Sequence, residues 1–176
     1  MFERLDLARL EDEIRVSANA STMGGSQVFL QEGEAHTVAD LMDAIAIASA
    51  NDASMAVAEH LAGSETKFVE RMNARANELG CRATRFANVH GLDLRGQPKN
   101  ITSARDLALI GKELVKHERA LDISSTKRKS FRGGDFVLDN TVDVVLNVED
   151  LLYLVLEVPT SRRTPSMSRT RPRPRS

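Results

Sequence analysis

An α+β fold, mostly helical with a few strands, is what this sequence predicts. Four segments between Thr37 and Leu114 repeat apolar residues at the three- and four-residue spacing of one helix face, with Ser, Thr or a polar break at their starts. Short runs rich in β-branched and aromatic residues flank them, and "KSFRGGDFVL" (129–138) has the pattern of a hairpin. With 176 residues, 41% of them hydrophobic, the chain is long enough for one domain with a sizeable core.

Taken in order, residues 14–17 (IRVS) and 27–30 (QVFL) are expected as two strands around the polar loop "ANASTMGGS". From Thr37 the period changes. Thr37 and Asp40 resemble a capping box, after which Val38, Leu41, Met42, Ile45 and Ala48 share one helix face. A break at Ser49-Ala50-Asn51-Asp52 precedes a second helix running to about Leu61 and ending at "AGSE". Ser64 caps a third, whose stripe is Phe68, Met72, Ala76 and Leu79 and whose terminator is Gly80. A fourth follows Ser103, with Asp106 three residues on; Leu107, Ile110 and Leu114 are expected inside, with Gly111 on the same face. The hairpin turns at Arg132-Gly133-Gly134-Asp135.

Composition removes several function classes. The formal net charge is -1, aromatic residues make up 4% and Trp is absent, so the body of the chain has neither a nucleic-acid field nor a base-stacking platform, and no specific nucleic acid is expected as a partner. Cys81 has no partner for a disulfide and reads as a small buried hydrophobe. His36, His60, His90 and His117 are scattered without ligand spacing, so no metal is expected. His90-Gly91-Leu92-Asp93 reads as a turn, and nothing in the sequence orients Cys81 and His90 as a nucleophile pair.

The first residues, "MFERLDLARLEDEIRVS", alternate apolar and charged side chains without the apolar run of a secretory leader, so the chain as written is expected to stay in the cytoplasm. "LLYLVLEV" (151–158) falls far short of the roughly 20 apolar residues that span a bilayer, and no membrane segment is expected. The closing "PTSRRTPSMSRTRPRPRS" (159–176) has no acid and almost no apolar residue, and cannot fold alone. It is either a phosphate-binding tail for an anionic partner or a solvated extension without a role.

The four small or polar residues between the first two helices pose the functional question. In a continuous helix Ser49 and Asn51 would lie about 200° apart and serve no common site, whereas in an extended link they share a side. Asn51 is also a good N-cap and Asp52 suits a first turn, which would put a hydroxyl and a carboxamide near a positive helix end. Such a pair could carry a proton and clamp a substrate amide. An ordinary interhelical turn, rich in Ser and Asn, accounts for the same residues.

The surrounding text bears on that choice. "GGSQVFLQEGEAHTVADLMDAIAIASANDASMAVAEHLAGSETKFVERMNARANELG" (24–80), followed by "TRFANVHGLDLRGQPKNITSARDLALIGKEL" (84–114), closely resembles the penicillin-binding serine-type D-alanyl-D-alanine carboxypeptidases, family S11 of the serine peptidases. The resemblance runs from about Glu13 to Asn140. It implies the helical subdomain of the β-lactamase/DD-peptidase (transpeptidase-like) fold with an incomplete sheet. It also implies a hydrolase that removes the terminal D-Ala of peptidoglycan stem peptides through an acyl-enzyme, is inhibited by β-lactams, works in the cell envelope and needs no cofactor. The family uses a Ser-x-x-Lys nucleophile and base, a Ser-x-Asn, and a Lys-Thr-Gly that holds the substrate carboxylate. On this match the catalytic residues present are Ser49, relaying a proton to the leaving D-Ala amine, and Asn51, hydrogen-bonding the peptide carbonyl.

The other two elements are where the chain departs from the family. The family's Ser-x-x-Lys helix precedes the stretch matching "FERLDLARLEDEIRVS", so the chain is expected to begin just downstream of the nucleophile. Ser64 to Lys67 reads as a helix cap and Ser124 to Lys127 lies in a polar stretch before the hairpin, so both Ser-x-x-Lys strings are expected to be accidental. Likeness fails at Val142, with no Lys-Thr-Gly, as after a shifted reading frame or in a broken gene. The organisation expected is a partial carboxypeptidase domain (1–140), a divergent apolar segment (141–158) and the Arg/Pro/Ser-rich tail (159–176), an inactive fragment as it stands. The reading from a different class is a non-catalytic remnant or interaction module that binds through its basic tail.

Overall fold

The computed structural model describes residues 10–93 and 95–140. The divergent apolar segment and the basic tail expected after residue 140 lie outside the described residues. Along the chain come β1 (Glu13–Arg15), α1 (Ala18–Ser21), β2 (Ala35–Thr37), α2 (Val38–Ala48), α3 (Asn51–Ala62), α4 (Glu65–Glu78), α5 (Ala104–Leu114), α6 (Glu118–Ser125), β3 (Arg128–Phe131) and β4 (Phe136–Asp139). Helices dominate, and the strands form two small antiparallel pairs, β1 with β2 and β3 with β4.

The expected strand pair needs correction. Residues 13–15 are a strand, but their partner is 35–37, in the register Glu13↔Thr37, Ile14↔His36 and Arg15↔Ala35. Residues 27–30 form no strand. Their backbone N–H groups at Val28 and Leu30 donate to the Asp52 carboxylate, and Phe29 between them sits at φ 56°, so no ladder can run through the segment. The loop before it holds the one-turn α1, capped by the Ser17 hydroxyl, which accepts from the Ala20 N–H.

The helix caps follow the sequence closely. Thr37, Ser64 and Ser103 each accept the N–H three residues on, from Asp40, Lys67 and Asp106. Thr37 additionally donates its hydroxyl to the Asp40 carboxylate at 2.8 Å, a variant of the expected box in which the acid bonds the capping side chain. Gly63 and Gly80 leave their helices at φ 78°, as terminators do. α2 is enclosed on several sides, by α3, α6, β2 and the hairpin, so Asp43, Ala44 and Ile47 are buried as well as Val38, Leu41 and Met42. Asp43 is tolerated there because the ammonium of Lys129 on β3 pairs with it.

α5 departs from expectation. Leu107 is 56% exposed and Leu114 stands at 36%, while Asp106 is buried. The carboxylate of Asp106 accepts the Ala83 N–H at 2.7 Å and the Thr84 hydroxyl at 2.8 Å, which turns that face of the helix inward and leaves Leu107, about 100° around the axis, facing out. α6 was not anticipated. Ala120 and Ile123 bury its inner face, with Ile123 joining the α2 core, and its last turn takes in Ser124 and Ser125 of the polar stretch before the hairpin. The hairpin forms as expected, with Arg132 and Gly133 at positive φ in its turn, and Arg132 forks onto Glu34 at 2.7 and 3.0 Å to fasten the hairpin to the β1–β2 side.

Candidate active site

α2 ends in a left-handed turn. Ser49 takes φ 55°, ψ 39°, and its N–H and that of Ala50 both turn back to the Ala44 carbonyl, the pattern that closes a helix C-terminus. Glycine is the usual residue at such a position because a Cβ there is strained, so a serine held in it carries a modest strain. Ser49 is exposed, whereas Ala50 is fully buried in an extended conformation and serves as the N-cap of α3 without a side-chain bond. The link is therefore left-handed at Ser49 and extended only at Ala50. Asn51 is the first residue of α3, in place of the expected N-cap.

Asn51 is tied in two directions. Its N–H donates to the Ser26 carbonyl at 2.9 Å, its Nδ2 donates to the Gly24 carbonyl at 2.8 Å, and the residue is 4% exposed. A carboxamide carries two N–H donors and one acceptor oxygen, so one bond to Gly24 fixes its plane and leaves donor capacity over. The neighbouring Asp52 anchors the same loop: its carboxylate receives Val28 N–H at 3.2 Å, Leu30 N–H at 3.0 Å and Ala53 N–H at 2.9 Å. Two successive residues at a helix N-terminus thus hold residues 24–30 in place.

A second loop closes in from the far side. A Cβ built on Gly25 would meet Leu92 Cδ2 at 2.7 Å and Asn51 Nδ2 at 2.6 Å, so Leu92 reaches the Gly24–Gly25 turn beside Asn51. Leu92 is delivered by a braced turn. The His90 Nδ1 accepts the Leu92 N–H at 3.0 Å, Asn88 accepts the Gly91 N–H at 2.7 Å, and Asn100 clasps the backbone of Ala87 and Asn88. The other ring nitrogen, Nε2, lies 3.7 Å from Glu65. His90 therefore shapes the turn, as its sequence context indicated.

Cys81 and His90 do not pair. The Cys81 thiol is buried and reaches the Asp106 carbonyl at 3.6 Å; burial and the nearby Asp106 charge push its pKa up, away from a reactive thiolate. Burial alone would raise Asp106, but the Ala83 N–H, the Thr84 and Ser103 hydroxyls and Arg105 outweigh it and hold the carboxyl below the usual range. Glu34 is likewise pushed up by burial and drawn lower overall by the Arg132 fork and the Gln31 N–H. Among the described residues no cluster of His, Cys, Asp and Glu has metal-ligand geometry. A cavity of about 220 Å³ opens elsewhere, among Ile45, Phe68, Met72, Phe86, Val89 and Ile110, and neither Ser49 nor Asn51 lines it.

The two helices, the Ser49-Ala50-Asn51 corner and the Gly-Gly and His-Gly-Leu loops converging on it can be compared with known proteins. The profile described as D-alanyl-D-alanine carboxypeptidase, peptidase S11, matches residues 4–152. The chain belongs to this family. The match takes in residues beyond both limits of the resemblance seen in the sequence, Glu13 and Asn140. As an S11 peptidase the chain is 42% identical over 143 residues to the D-alanyl-D-alanine carboxypeptidase DacF of Bacillus subtilis, a match covering 80% of this chain and 34% of that one.

Solved structures agree on the architecture. Penicillin binding protein 6B from Escherichia coli superposes with a TM-score of 0.70 at 30% identity, covering 78% of this S11 chain and 44% of that one. The D-alanyl-D-alanine carboxypeptidase of Mycobacterium tuberculosis superposes at 0.71 over 80% of this chain and 52% of that one; at 24% identity it speaks for the fold alone. The chain thus has a partial α+β, transpeptidase-like fold, and it spans about a third of the length of the curated relatives it matches. Among the described residues no helix is long and apolar enough to cross a membrane.

Sequence reasoning had singled out Ser49 and Asn51 but missed the groups that hold them. In the sequence Gly25 is an ordinary loop glycine, Leu92 is part of the His90–Asp93 turn, and Asp52 suits the first turn of a helix by its charge. The signal for Asp52 was its place beside Asn51 at a helix start; what it bonds is 22 to 24 residues away in sequence.

Proposed function

We propose that this chain carries the Ser-x-Asn portion of a serine-type D-Ala-D-Ala carboxypeptidase site. In the complete enzyme Ser49 relays a proton between the base of the Ser-x-x-Lys pair and the leaving D-Ala amine, and Asn51 donates to the carbonyl of the stem peptide. The substrate class is the peptidoglycan stem peptide, with β-lactams as acylating analogues, and the setting is the cell envelope. Residues 1–140 are the partial catalytic domain in this reading.

The observation that supports it is the corner itself. A serine exposed in a left-handed conformation, two residues before a carboxamide whose plane is fixed by the Gly24 carbonyl, is suited to presenting two polar groups in a set geometry. The N-terminus of α3 adds a partial positive charge where an amide carbonyl would dock.

A chimera tests it. Residues 13–140 replace the matching stretch of the Bacillus subtilis relative, which supplies the flanking chain. The chimera is expected to be acylated by penicillin and to release D-Ala, and Ser49→Ala is expected to slow turnover about a hundredfold, the scale of a lost proton-transfer group, with a melting point shifted by no more than a few degrees. A folded chimera without acylation, or one in which Ser49→Ala leaves turnover unchanged, refutes the assignment.

A further inference from the structure

The Gly24–Gly25 turn is built around Asn51. Gly24 gives its carbonyl to Asn51 Nδ2 at 2.8 Å, Ser26 gives its carbonyl to the Asn51 N–H at 2.9 Å, and Gly25 between them has φ 80°. The space a Cβ would need at Gly25 is filled from two sides, by Asn51 Nδ2 at 2.6 Å and Leu92 Cδ2 at 2.7 Å. Both distances are well inside van der Waals contact. Gly33 offers the contrast within the same molecule. Its φ is 79°, yet nothing lies within 4 Å of its Cβ position. Backbone conformation asks for glycine at both sites, and only Gly25 also needs the empty volume.

We infer that Gly25 is a positioning residue for the Asn51 carboxamide. By leaving room for Nδ2 it lets that group reach the Gly24 carbonyl, which fixes the carboxamide plane and aims the remaining N–H. A methyl at Gly25 has to displace both Leu92 and Asn51. The Leu92 tip can turn aside while its backbone stays braced by His90 and Asn88, but the 2.6 Å approach to Asn51 Nδ2 remains, so the carboxamide has to yield. The consequence for turnover rests on the role proposed for Asn51; the positioning itself does not.

The test has a spectroscopic and a kinetic arm. In the full 176-residue chain, the side-chain amide protons of Asn51, assigned by their loss in Asn51→Asp, are expected to show one slowly exchanging resonance shifted by the Gly24 bond. Gly25→Ala is expected to abolish that signature and Gly33→Ala to retain it. Since Gly25→Ala could lose the fold, the double variant Gly25→Ala/Leu92→Ala removes one of the two clashes and is expected to fold while still lacking the signature. A retained signature in a Gly25→Ala variant, single or double, overturns the inference, as does equal loss in Gly33→Ala.

In the chimera, Gly25→Ala is expected to slow penicillin acylation at least about tenfold. Unimpaired acylation there, in a chimera that Asn51→Ala disables, overturns the positioning role. Unimpaired acylation in Asn51→Ala itself instead refutes the functional reading, so the two failures are distinguishable.

Discussion

Replacing Asp52 by Ala separates two physical roles for one carboxylate. As a first-turn acid interacting with the dipole of α3, Asp52 would contribute about 0.3 to 1 kcal/mol. The structure gives it a larger task. It is 1% exposed and accepts the N–H groups of Val28, Leu30 and Ala53, and Val28 and Leu30 are themselves buried to 0% and 1% exposure. Hydrogen bonds to a charged acceptor are worth roughly 1.5 to 3 kcal/mol each, and a buried donor left without a partner costs about 1 to 3 kcal/mol. With two buried loop amides orphaned, the expected loss for Asp52→Ala is about 3 to 5 kcal/mol, a large share of the 5 to 15 kcal/mol typical of a domain. Asp52→Asn keeps one acceptor oxygen and is expected to lose roughly half as much. Urea denaturation followed by circular dichroism gives the energies, and amide hydrogen exchange gives the location. In Asp52→Ala, Val28 and Leu30 are expected to lose protection before the helices do. A loss below about 1 kcal/mol with protection at Val28 and Leu30 unchanged would restore the dipole account and remove the anchoring role.

Two further outcomes are expected. Asp106 has its carboxyl pKa lowered in the folded chain, so the unfolded state binds more protons in acid; the stability it contributes is present above the unfolded value of about 3.9 and is lost as pH falls through the folded value. Stability measured against pH should therefore drop below about pH 4 in the parent chain and drop less in Asp106→Asn, and equal slopes would contradict the depression. Fluorescent penicillin is expected to leave no covalent adduct on the 176-residue chain by intact-mass spectrometry, because Ser64 caps α4 and Ser124 bonds the Leu121 carbonyl on the outer face of α6; a stoichiometric adduct on either serine would show that those Ser-x-x-Lys strings are functional.

What could be read in the sequence alone was whatever short-range chemistry sets. Thr37, Ser64 and Ser103 cap helices because each bonds an N–H three residues away, and Gly63, Gly80 and the Arg132–Asp135 turn end their elements through local backbone conformation. The Ser49-Ala50-Asn51 corner belongs to the same class, since a break of small and polar residues between two apolar runs is visible within one window. The family could be named for a related reason, as its motif text is contiguous from residue 24 to 80. Tertiary structure decided the rest. Residues 27–30 have the composition of a strand, but a buried carboxylate 22 to 24 positions away takes the amides a ladder would need. Leu107 has the spacing of a core residue, but Asp106 finds donors at Ala83 and Thr84, and a satisfied buried carboxylate turns the helix by one position. Gly25 looks like any loop glycine until Asn51 and Leu92 fill the space its side chain would take. In each case the deciding partner lies 20 or more residues away, and a polar group that leaves water must find such a partner wherever the folded chain brings one.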